Sequence, residues 1–287
     1  MMEERKRNLA GPLTLVLAVG IIVYLGYTLL QPPSSAIKLT FLDVGQGDAE
    51  LIVTPKGQDI LIDGGPNDSV VNKLDKTIPF YSHKLDAIVL THPHADHVSG
   101  LVAVVKKYQI GKVYMSGVTH TAPEYMAFLE ALKNQNVPVQ LVKSGDNLDF
   151  GDGIKLDFLY PLASLKNQTA ENLNLTSVVT RLSWGKASAL MMGDLEAEGQ
   201  EKLLASGQNV ASDILKVSHH GSKDSVDAKF LAVVNPKYAV IEVGKDNSFG
   251  HPSKEMLNLL SGLIVYRTDY DGDIRFELTN QGAVAKM

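Results

Sequence analysis

The stretch Thr91-His92-Pro93-His94-Ala95-Asp96-His97 decides the fold and the chemistry that this sequence predicts. It follows the apolar segment 85–90 (LDAIVL), which predicts a buried strand, and it places three imidazoles and one carboxylate within six residues. Imidazole and carboxylate groups suit zinc or manganese, and the short spacing lets one loop present several ligands at once. A polar surface loop is the alternative, but three of the chain's eight histidines lie here, which favours a metal site. We expect two neighbouring metal ions, with His92 and His94 facing one and Asp96 and His97 facing the other.

Further candidate ligands follow other predicted strands. Ser218-His219-His220-Gly221-Ser222 comes directly after the apolar strand 213–217, so five of the eight histidines lie at two strand ends. Gly193-Asp194 ends a buried strand, and His251 ends a third strand–loop unit. The alternatives are an incidental histidine pair and an Asp194 that caps the helix predicted after it. Side chains at strand ends on one rim would converge at a single site, which we expect here.

Two weaker patterns involve aspartates near glycines. Asp48 and Asp63 lie in glycine-rich strand ends, which predict either tight turns or carboxylates near the floor of the site. Asp269, Asp271 and Asp273 alternate around Gly272 but lack the later ligand of a calcium loop, so we predict a hairpin turn there.

Composition and charge restrict the classes of function. The chain has 287 residues and no cysteine, which excludes disulfides, Cys₄ zinc sites and thiol nucleophiles. Its net charge of −5 argues against binding nucleic acid by broad neutralisation of phosphates. An anionic substrate must therefore be held locally, by metal ions or a small basic patch.

The N-terminal segment predicts a membrane anchor. Residues 8–37 carry no charge, and their core reads LTLVLAVGIIVYLGYTLL, close to the roughly 20 residues that span a bilayer. Arg5, Lys6 and Arg7 precede it, which predicts a cytoplasmic tail and a domain outside the cytoplasm. A cleaved signal peptide ending near Ser34-Ser35-Ala36 is the alternative. We therefore divide the chain into residues 1–36, the tail and anchor, and residues 37–287, the domain that carries the site.

Strand and helix patterns alternate along the remaining chain and predict one α/β domain of two sheets with helices packed outside. Thr121 to Glu124 predicts a capping box that opens a helix. Segments 264–267 and 274–278 predict a closing hairpin.

The order of motifs resembles a known superfamily. His-x-His-x-Asp-His, a later Gly-Asp and a later histidine resemble the metallo-β-lactamase superfamily. FLDVGQGDA, LIDGG, THPHADHVSG, GDLE, LKVSHHGS and GHPS, in that order, resemble the soluble C-terminal domain of the ComEC DNA-uptake family. The match runs from about Thr40 to Ile274. It implies an αββα sandwich with the metals at one edge of the two sheets.

The resemblance also implies roles for individual residues. His92 and His94 would bind one metal, and Asp96, His97 and one of His219 and His220 the other, with Asp194 as the bridge. We expect His220 to be the ligand and His219 to be a substrate or proton partner. His251 would line the site and contact phosphate or the leaving group, so Asp96, His219 and His251 are the expected catalytic residues. Many superfamily members have a further metal-binding histidine before the bridging aspartate, where this chain reads ENLNLTS (171–177), as the ComEC family does.

The predicted function is metal-dependent hydrolysis of a phosphodiester, with DNA as the expected substrate and one or two divalent ions, zinc or manganese, as cofactors. Besides a phosphoester substrate, the expected partner is the membrane, through the N-terminal helix; no protein partner is indicated. One alternative is a cell-envelope esterase acting on phosphocholine or teichoic acid. Another is a membrane-tethered binding module without turnover.

Overall fold

The computed structural model of the chain describes residues 19–20, 35–79, 82–223 and 225–286. Apart from Val19, Gly20, Ser35 and Ala36, the predicted tail and anchor (residues 1–36) lie outside these residues. Among the helices of the described part, none has the length and apolarity needed to cross a membrane. Residues 35–287 group together as one unit by their contacts, and this unit carries everything described below.

The first sheet has eight strands in the order β15-β14-β1-β2-β3-β4-β5-β6 within the described residues. Strands β3 to β6 run parallel, and the other pairs are antiparallel. Short apolar runs such as DILI and KLDAIVL form its buried centre, as expected for strands covered on both faces. The strands are β1 Ile37–Phe41, β2 Glu50–Val53, β3 Asp59–Ile62, β4 Lys84–Leu90, β5 Gln109–Met115, β6 Val139–Leu141, β14 Ile274–Thr279 and β15 Gly282–Lys286.

The second sheet has seven strands in the order β13-β12-β11-β10-β9-β8-β7 within the described residues. Strands β10 to β13 run parallel, and β7 to β10 pair antiparallel. The strands are β7 Asn147–Gly151, β8 Ile154–Tyr160, β9 Val179–Trp184, β10 Ala187–Met191, β11 Ile214–Lys216, β12 Tyr238–Ile241 and β13 Ile264–Arg267.

The helices cover the outer faces of both sheets. The helices are α1 Ser69–Thr77, α2 Ala95–Lys107, α3 Pro123–Asn134, α4 Ala197–Ala205, α5 Ala228–Val234, α6 Lys254–Leu259 and α7 Thr268–Asp271. An apolar core between the two sheets joins side chains of both, for example Phe41, Phe158 and Phe276. A second core lies between the first sheet and α1 to α3, and a third between the second sheet and α4 to α6. The expected sandwich of two sheets between helices is confirmed.

Two local predictions are wrong. The segments expected to form a closing hairpin lie in different sheets, because β13 pairs in parallel with β12 whereas β14 pairs with β1 and β15. The chain crosses the sandwich through α7, and Asp273 accepts hydrogen bonds from Asp43 N and Lys73 Nζ instead of forming a hairpin turn. The capping box is also wrong: Ala122 caps α3 without a side-chain bond, and proline occupies the first turn, where no amide hydrogen is needed.

The carboxyl ends of β4, β10 and β11 meet at one edge of the sandwich. Val178 N donates to Thr91 O at 2.9 Å, which ties the loop after β4 to the second sheet. His219 N donates to Gly193 O at 3.3 Å, which ties the turns after β10 and β11 together. The loops that carry the candidate ligands are therefore neighbours in space.

Helix α2 approaches the loop after β3 so closely that a glycine is required. Gly64 N donates to His97 O at 2.8 Å, and Gly100 N donates to Gly65 O at 3.0 Å. A Cβ atom at Gly100 would collide with the backbone oxygens of Gly64 and Asn67. The position of the first turn of α2 thus depends on this backbone contact.

We expect Gly100→Ala to lower the free energy of unfolding by roughly 1–3 kcal/mol, because the helix must move away from a backbone that cannot yield. Urea denaturation of the purified domain measures this change. Gly262→Ala is the matched control, because a Cβ atom added at Gly262 would have no neighbour within 4 Å. Equal stability of the two variants would contradict the packing argument.

Candidate metal centre

Six predicted ligand side chains converge at the sandwich edge. Donor atoms of His92, His94 and Asp194 lie within 4.8 Å of one another, as do those of Asp96, His97 and His220. Within these groups, His92 Nε2 lies 2.9 Å from His94 Nδ1, and His220 Nε2 lies 3.1 Å from Asp96 Oδ2. The structure thus brings together all the residues that the sequence proposed as metal ligands.

Three separate pieces of chain deliver these side chains. His92 and His94 lie in the loop between β4 and α2, whereas Asp96 and His97 belong to the first turn of α2. Asp194 lies between β10 and α4, and it is not the helix cap, since Glu196 takes that position. The turn after β11 presents the histidine pair.

The two adjacent histidines of that turn point in different directions. His219 and His220 both adopt left-handed backbone conformations, with φ angles of 46° and 52°. Such angles are uncommon for residues with side chains and are held in place by surrounding structure. His220 is buried, and His219 is 31% exposed at the side chain. The left-handed turn therefore separates a buried imidazole from one at the rim.

Hydrogen bonds on the outer side of the cluster orient its imidazoles. Asp63 Oδ2 lies 2.7 Å from His97 Nδ1, and the same carboxylate accepts hydrogen bonds from Thr91 N and Oγ1. Thr91 Oγ1 also lies 3.0 Å from His92 Nδ1. His220 Nδ1 lies 2.9 Å from a backbone carbonyl oxygen, that of Glu242. These contacts leave the Nε2 atoms of the three imidazoles free to face the cluster, as partners of metal-binding histidines do.

The cluster has donor atoms without hydrogen-bond partners. His97 Nε2 and Asp194 Oδ1 are buried and have no such partner among the described residues. Asp194 Oδ2 lies 3.3 Å from His97 Nε2, 3.8 Å from His220 Nε2 and 3.9 Å from His92 Nε2. Unpartnered buried donors are costly unless a cation or water satisfies them. Imidazole and carboxylate donors in this number fit one or two divalent transition-metal ions.

Electrostatics show how the side chains balance charge when no metal is present. Burial raises the pKa of the Asp194 carboxyl, but the imidazoles of His97 and His220 outweigh it and hold that pKa well below its ordinary value. Burial lowers the pKa of His97, but the carboxylates of Asp194 and Asp48 outweigh it and raise that pKa well above its ordinary value. The same two carboxylates raise the pKa of His220 to about 10 against the effect of burial. Two imidazolium groups thus supply positive charge that a divalent ion would otherwise provide.

A buried charged layer lies beneath the ligands. Lys216 Nζ bonds to the Asp48 carboxylate and donates to Gly193 O at 3.1 Å. Burial lowers the pKa of Lys216, but Asp48 and Asp194 outweigh it and raise that pKa. Burial and the charge of Asp48 raise the pKa of Glu242 to about 8, which favours its protonated form at neutral pH. This layer carries one fixed positive charge close to Asp194.

Sequence reasoning missed most of this layer. It placed Asp48 near the floor but did not identify Lys216, Glu50 or Glu242. The available signal was a charged residue inside or beside an otherwise apolar strand, as in AELIV, DILKV and AVIEV. Charged residues are almost never fully buried unless they are paired, so each of these positions predicts a partner.

His219 and His251, two of the expected catalytic residues, lie at the rim of the cluster. His219 Nδ1 lies 3.4 Å from Glu196 Oε1 and 3.3 Å from Asn174 Nδ2. Asn174 also donates to Glu196 Oε1 at 2.8 Å, so the three side chains form one group. The ring centroids of His219 and His251 are 5.8 Å apart. The sequence noted the asparagine-containing segment 171–177 but predicted neither Asn174 nor Glu196 as a contact of His219.

Comparison with known proteins gives a consistent family and fold. The sequence profile of the metallo-β-lactamase superfamily matches residues 42–244. The chain is 30% identical to ComE operon protein 3 of Bacillus subtilis (strain 168) over 98% of this chain and 38% of that protein. It is 29% identical to competence protein ComA of Neisseria gonorrhoeae over 93% of this chain and 36% of that protein. The chain therefore spans less than two fifths of the length of these two relatives.

A solved structure supports the same fold. The metallo-β-lactamase fold protein YhfI from Bacillus subtilis superposes with a TM-score of 0.56, covering 85% of this chain and all of that one. The two sequences are 14% identical, so the likeness concerns the fold alone.

We expect Lys216→Met to lower the free energy of unfolding by roughly 3–5 kcal/mol, because it removes the permanent positive charge that is paired with the buried Asp48 carboxylate. Urea denaturation at pH 7.5 measures the loss. Lys202→Met is the matched control: Lys202 forms an exposed ion pair with Glu198, and its removal should change stability little. A loss no larger than that of the control would show that Lys216 is not needed to balance the layer.

Addition of Zn²⁺ or Mn²⁺ to metal-free protein should raise its melting temperature. Saturation at about 100 times the dissociation constant adds about 2.7 kcal/mol, or roughly 5–10 °C for a domain of this size. Asp194→Asn should lose most of this shift, whereas Asp68→Asn, an exposed aspartate, should keep it. Thermal unfolding together with metal analysis measures both effects, and an equal shift in both variants would rule out Asp194 as a ligand.

Proposed function

Because this chain belongs to the metallo-β-lactamase superfamily, whose members are generally metal-dependent hydrolases, we propose that it hydrolyses phosphodiester bonds in DNA. The observation that carries the proposal is the pair of adjacent donor groups that share Asp194. Two neighbouring cations suit an in-line displacement at phosphorus, because both the attacking and the leaving oxygen need stabilisation. The ComEC-like motifs and the similarity to ComE operon protein 3 support DNA as the substrate.

In this proposal, two sets of side chains hold the metals. One set contains His92 and His94. The other set contains Asp96, His97 and His220, and Asp194 belongs to both sets. When bound there, divalent ions activate water and offset the negative charge of a phosphate. The carboxylate of Asp63 and the carbonyl of Glu242 keep the imidazoles aimed at the cluster.

Asp96 has a second proposed role because it is the more exposed of the two ligand carboxylates. Its side chain is 33% exposed, whereas that of Asp194 is 2% exposed. A carboxylate at the entrance can accept a hydrogen bond from the attacking water and so orient it. Burial raises the pKa of Asp96, but the hydrogen bond from His220 and the charge of His97 outweigh it and lower that pKa. The group is therefore ionised and able to accept a hydrogen bond from water at neutral pH.

His219 and His251 are proposed to act on the substrate side. The Glu196 carboxylate contacts Nδ1 of His219, so the other ring nitrogen of this imidazole can donate a proton to the departing oxygen. His251 Nδ1 is buried and has no hydrogen-bond partner among the described residues, so it can bind an oxygen of the phosphate. Since the chain carries a net charge of −5, these local contacts must supply most of the affinity for the anionic substrate.

The experiment is hydrolysis of a single-stranded oligodeoxynucleotide and of a simple diester, bis(p-nitrophenyl) phosphate, in Mn²⁺ or Zn²⁺. We expect His219→Ala to bind metal normally but to lose about 10²- to 10⁴-fold in kcat, the usual contribution of a general acid. Asp96→Ala should lose both metal and activity. His120→Ala, a histidine outside the donor clusters, should match the wild type.

The outcomes separate this proposal from its rivals. Equal hydrolysis by the wild type and Asp96→Ala would place the activity elsewhere. Cleavage of phosphocholine or teichoic-acid esters without cleavage of DNA would favour the cell-envelope esterase. Intact folding without bound metal or turnover would favour a binding module.

A further inference from the structure

A phenylalanine lies exposed at the rim of the metal centre. Phe249 is 68% exposed, whereas phenylalanines such as Phe41, Phe128 and Phe230 are fully buried. The other strongly exposed aromatic side chain of the described residues, Tyr270, stacks against the Arg267 guanidinium at 4.4 Å. Phe249 therefore presents a large apolar surface to solvent beside a polar site, and a flat ligand can cover it.

The loop that carries Phe249 is held in shape by one asparagine. Asn247 Oδ1 accepts hydrogen bonds from Phe249 N at 3.2 Å and from His251 N at 3.1 Å. Asn247 Nδ2 donates to Gly244 O at 3.0 Å and to His251 O at 2.7 Å. The exposed ring thus projects from a loop with a defined conformation.

The inner face of the Phe249 ring is already occupied. It stacks on the His251 ring with a centroid distance of 5.8 Å and an interplanar angle of 27°. The high exposure of Phe249 leaves the rest of its surface open to solvent. Backed by a second ring, the phenylalanine presents a flat aromatic surface.

A series of ring contacts connects this surface to the metal ligands. His251 lies 5.8 Å from His219, and His219 lies 6.1 Å from His220, measured between ring centroids. His220 Nε2 in turn faces Asp96 within the cluster. Ring contacts thus connect the stacked pair to the cluster that the phosphate of the substrate would reach.

We propose that Phe249, supported by His251, is a stacking platform for a nucleobase beside the scissile phosphate, so that the substrate is single-stranded nucleic acid. The proposal rests on the phosphodiesterase function proposed above and specifies its substrate class. Every base has a π face, so such a platform binds single strands with little sequence preference. In a duplex the bases are stacked on one another and cannot reach the ring.

The exposed Phe249 ring suits a nucleobase better than it suits a quaternary ammonium group. A net charge of −5 leaves little long-range attraction for a phosphate backbone, so binding must come from short-range contacts such as stacking. A quaternary ammonium group, as in phosphocholine esters, is bound by cages of several aromatic rings. Among the described rings at the rim, Phe249 is 68% exposed whereas the His219 side chain is 31% exposed, and one wide ring face suits a flat base.

The test compares Phe249→Leu with Phe249→Trp and the control Tyr270→Leu. Substrates are a short single-stranded oligodeoxynucleotide and an oligomer of the same backbone with abasic positions. We expect Phe249→Leu to raise KM for the base-bearing strand about 5- to 100-fold, the range that corresponds to losing one stacked base. Its preference for base-bearing over abasic strands should fall by a similar factor, whereas Phe249→Trp and Tyr270→Leu should keep the wild-type preference.

A binding measurement separates this inference from the proposed reaction. Metal-free wild type should quench the fluorescence of a 2-aminopurine base in the single strand, and Phe249→Leu should not. This result supports the platform even if the wild type hydrolyses no phosphodiester, an outcome that would overturn only the proposed reaction. Equal losses on base-bearing and abasic strands, or unchanged quenching by Phe249→Leu, would overturn the platform. The platform would also be overturned if competition by glycerophosphocholine depended on Phe249 and nucleotide binding did not depend on it.

Discussion

The buried hydrogen bond between Asp63 and His97 is the contact on which the site depends. Asp63 follows β3 and His97 lies in the first turn of α2, so one carboxylate joins the sheet to the helix at 2.7 Å. Asp63 itself has a left-handed backbone, with a φ angle of 55°, which aspartate tolerates better than most residues. Its carboxylate also binds Thr91, the residue before His92. Misplacing this one side chain would therefore disturb both imidazoles and the loop between them.

Charge balance explains why the layer beneath the ligands is polar at all. Carboxylates packed in an apolar interior repel each other, and burying an unpaired charge costs several kcal/mol. Lys216 supplies a positive charge that remains when a metal leaves, whereas His97 and His220 supply charge that depends on protons. Metal and protons thus compete for the same carboxylates, while Lys216 keeps Asp48 neutralised in either state.

The sequence predicted which side chains come together in the cluster but not the chain path that assembles them. His92 to His97 form one short motif, and motif spacing reports local geometry, so these residues could be identified without a structure. The crossing between β13 and β14 could not, because two neighbouring strand patterns look the same whether they pair or separate. The crossing depends on packing between the sheets, through contacts such as that of Tyr238 with Phe276, which have no short-range signature in the sequence. Glu196 is likewise placed by contacts between distant parts of the sequence, since it meets His219 and Asn174 at the rim.

The acidity of the chain determines how the site can recognise a polyanion. A protein that neutralises many phosphates gains affinity by releasing counterions. This gain in affinity arises for any base sequence or strand form. This chain has no such excess of positive charge, so discrimination falls to the few groups around the cluster. His219, His251 and Phe249 each offer a different contact there: a proton donor, an unpartnered nitrogen and an aromatic surface. In the proposed arrangement, these contacts would favour a strand that offers both a phosphate and a free base over a paired duplex or a strand without bases.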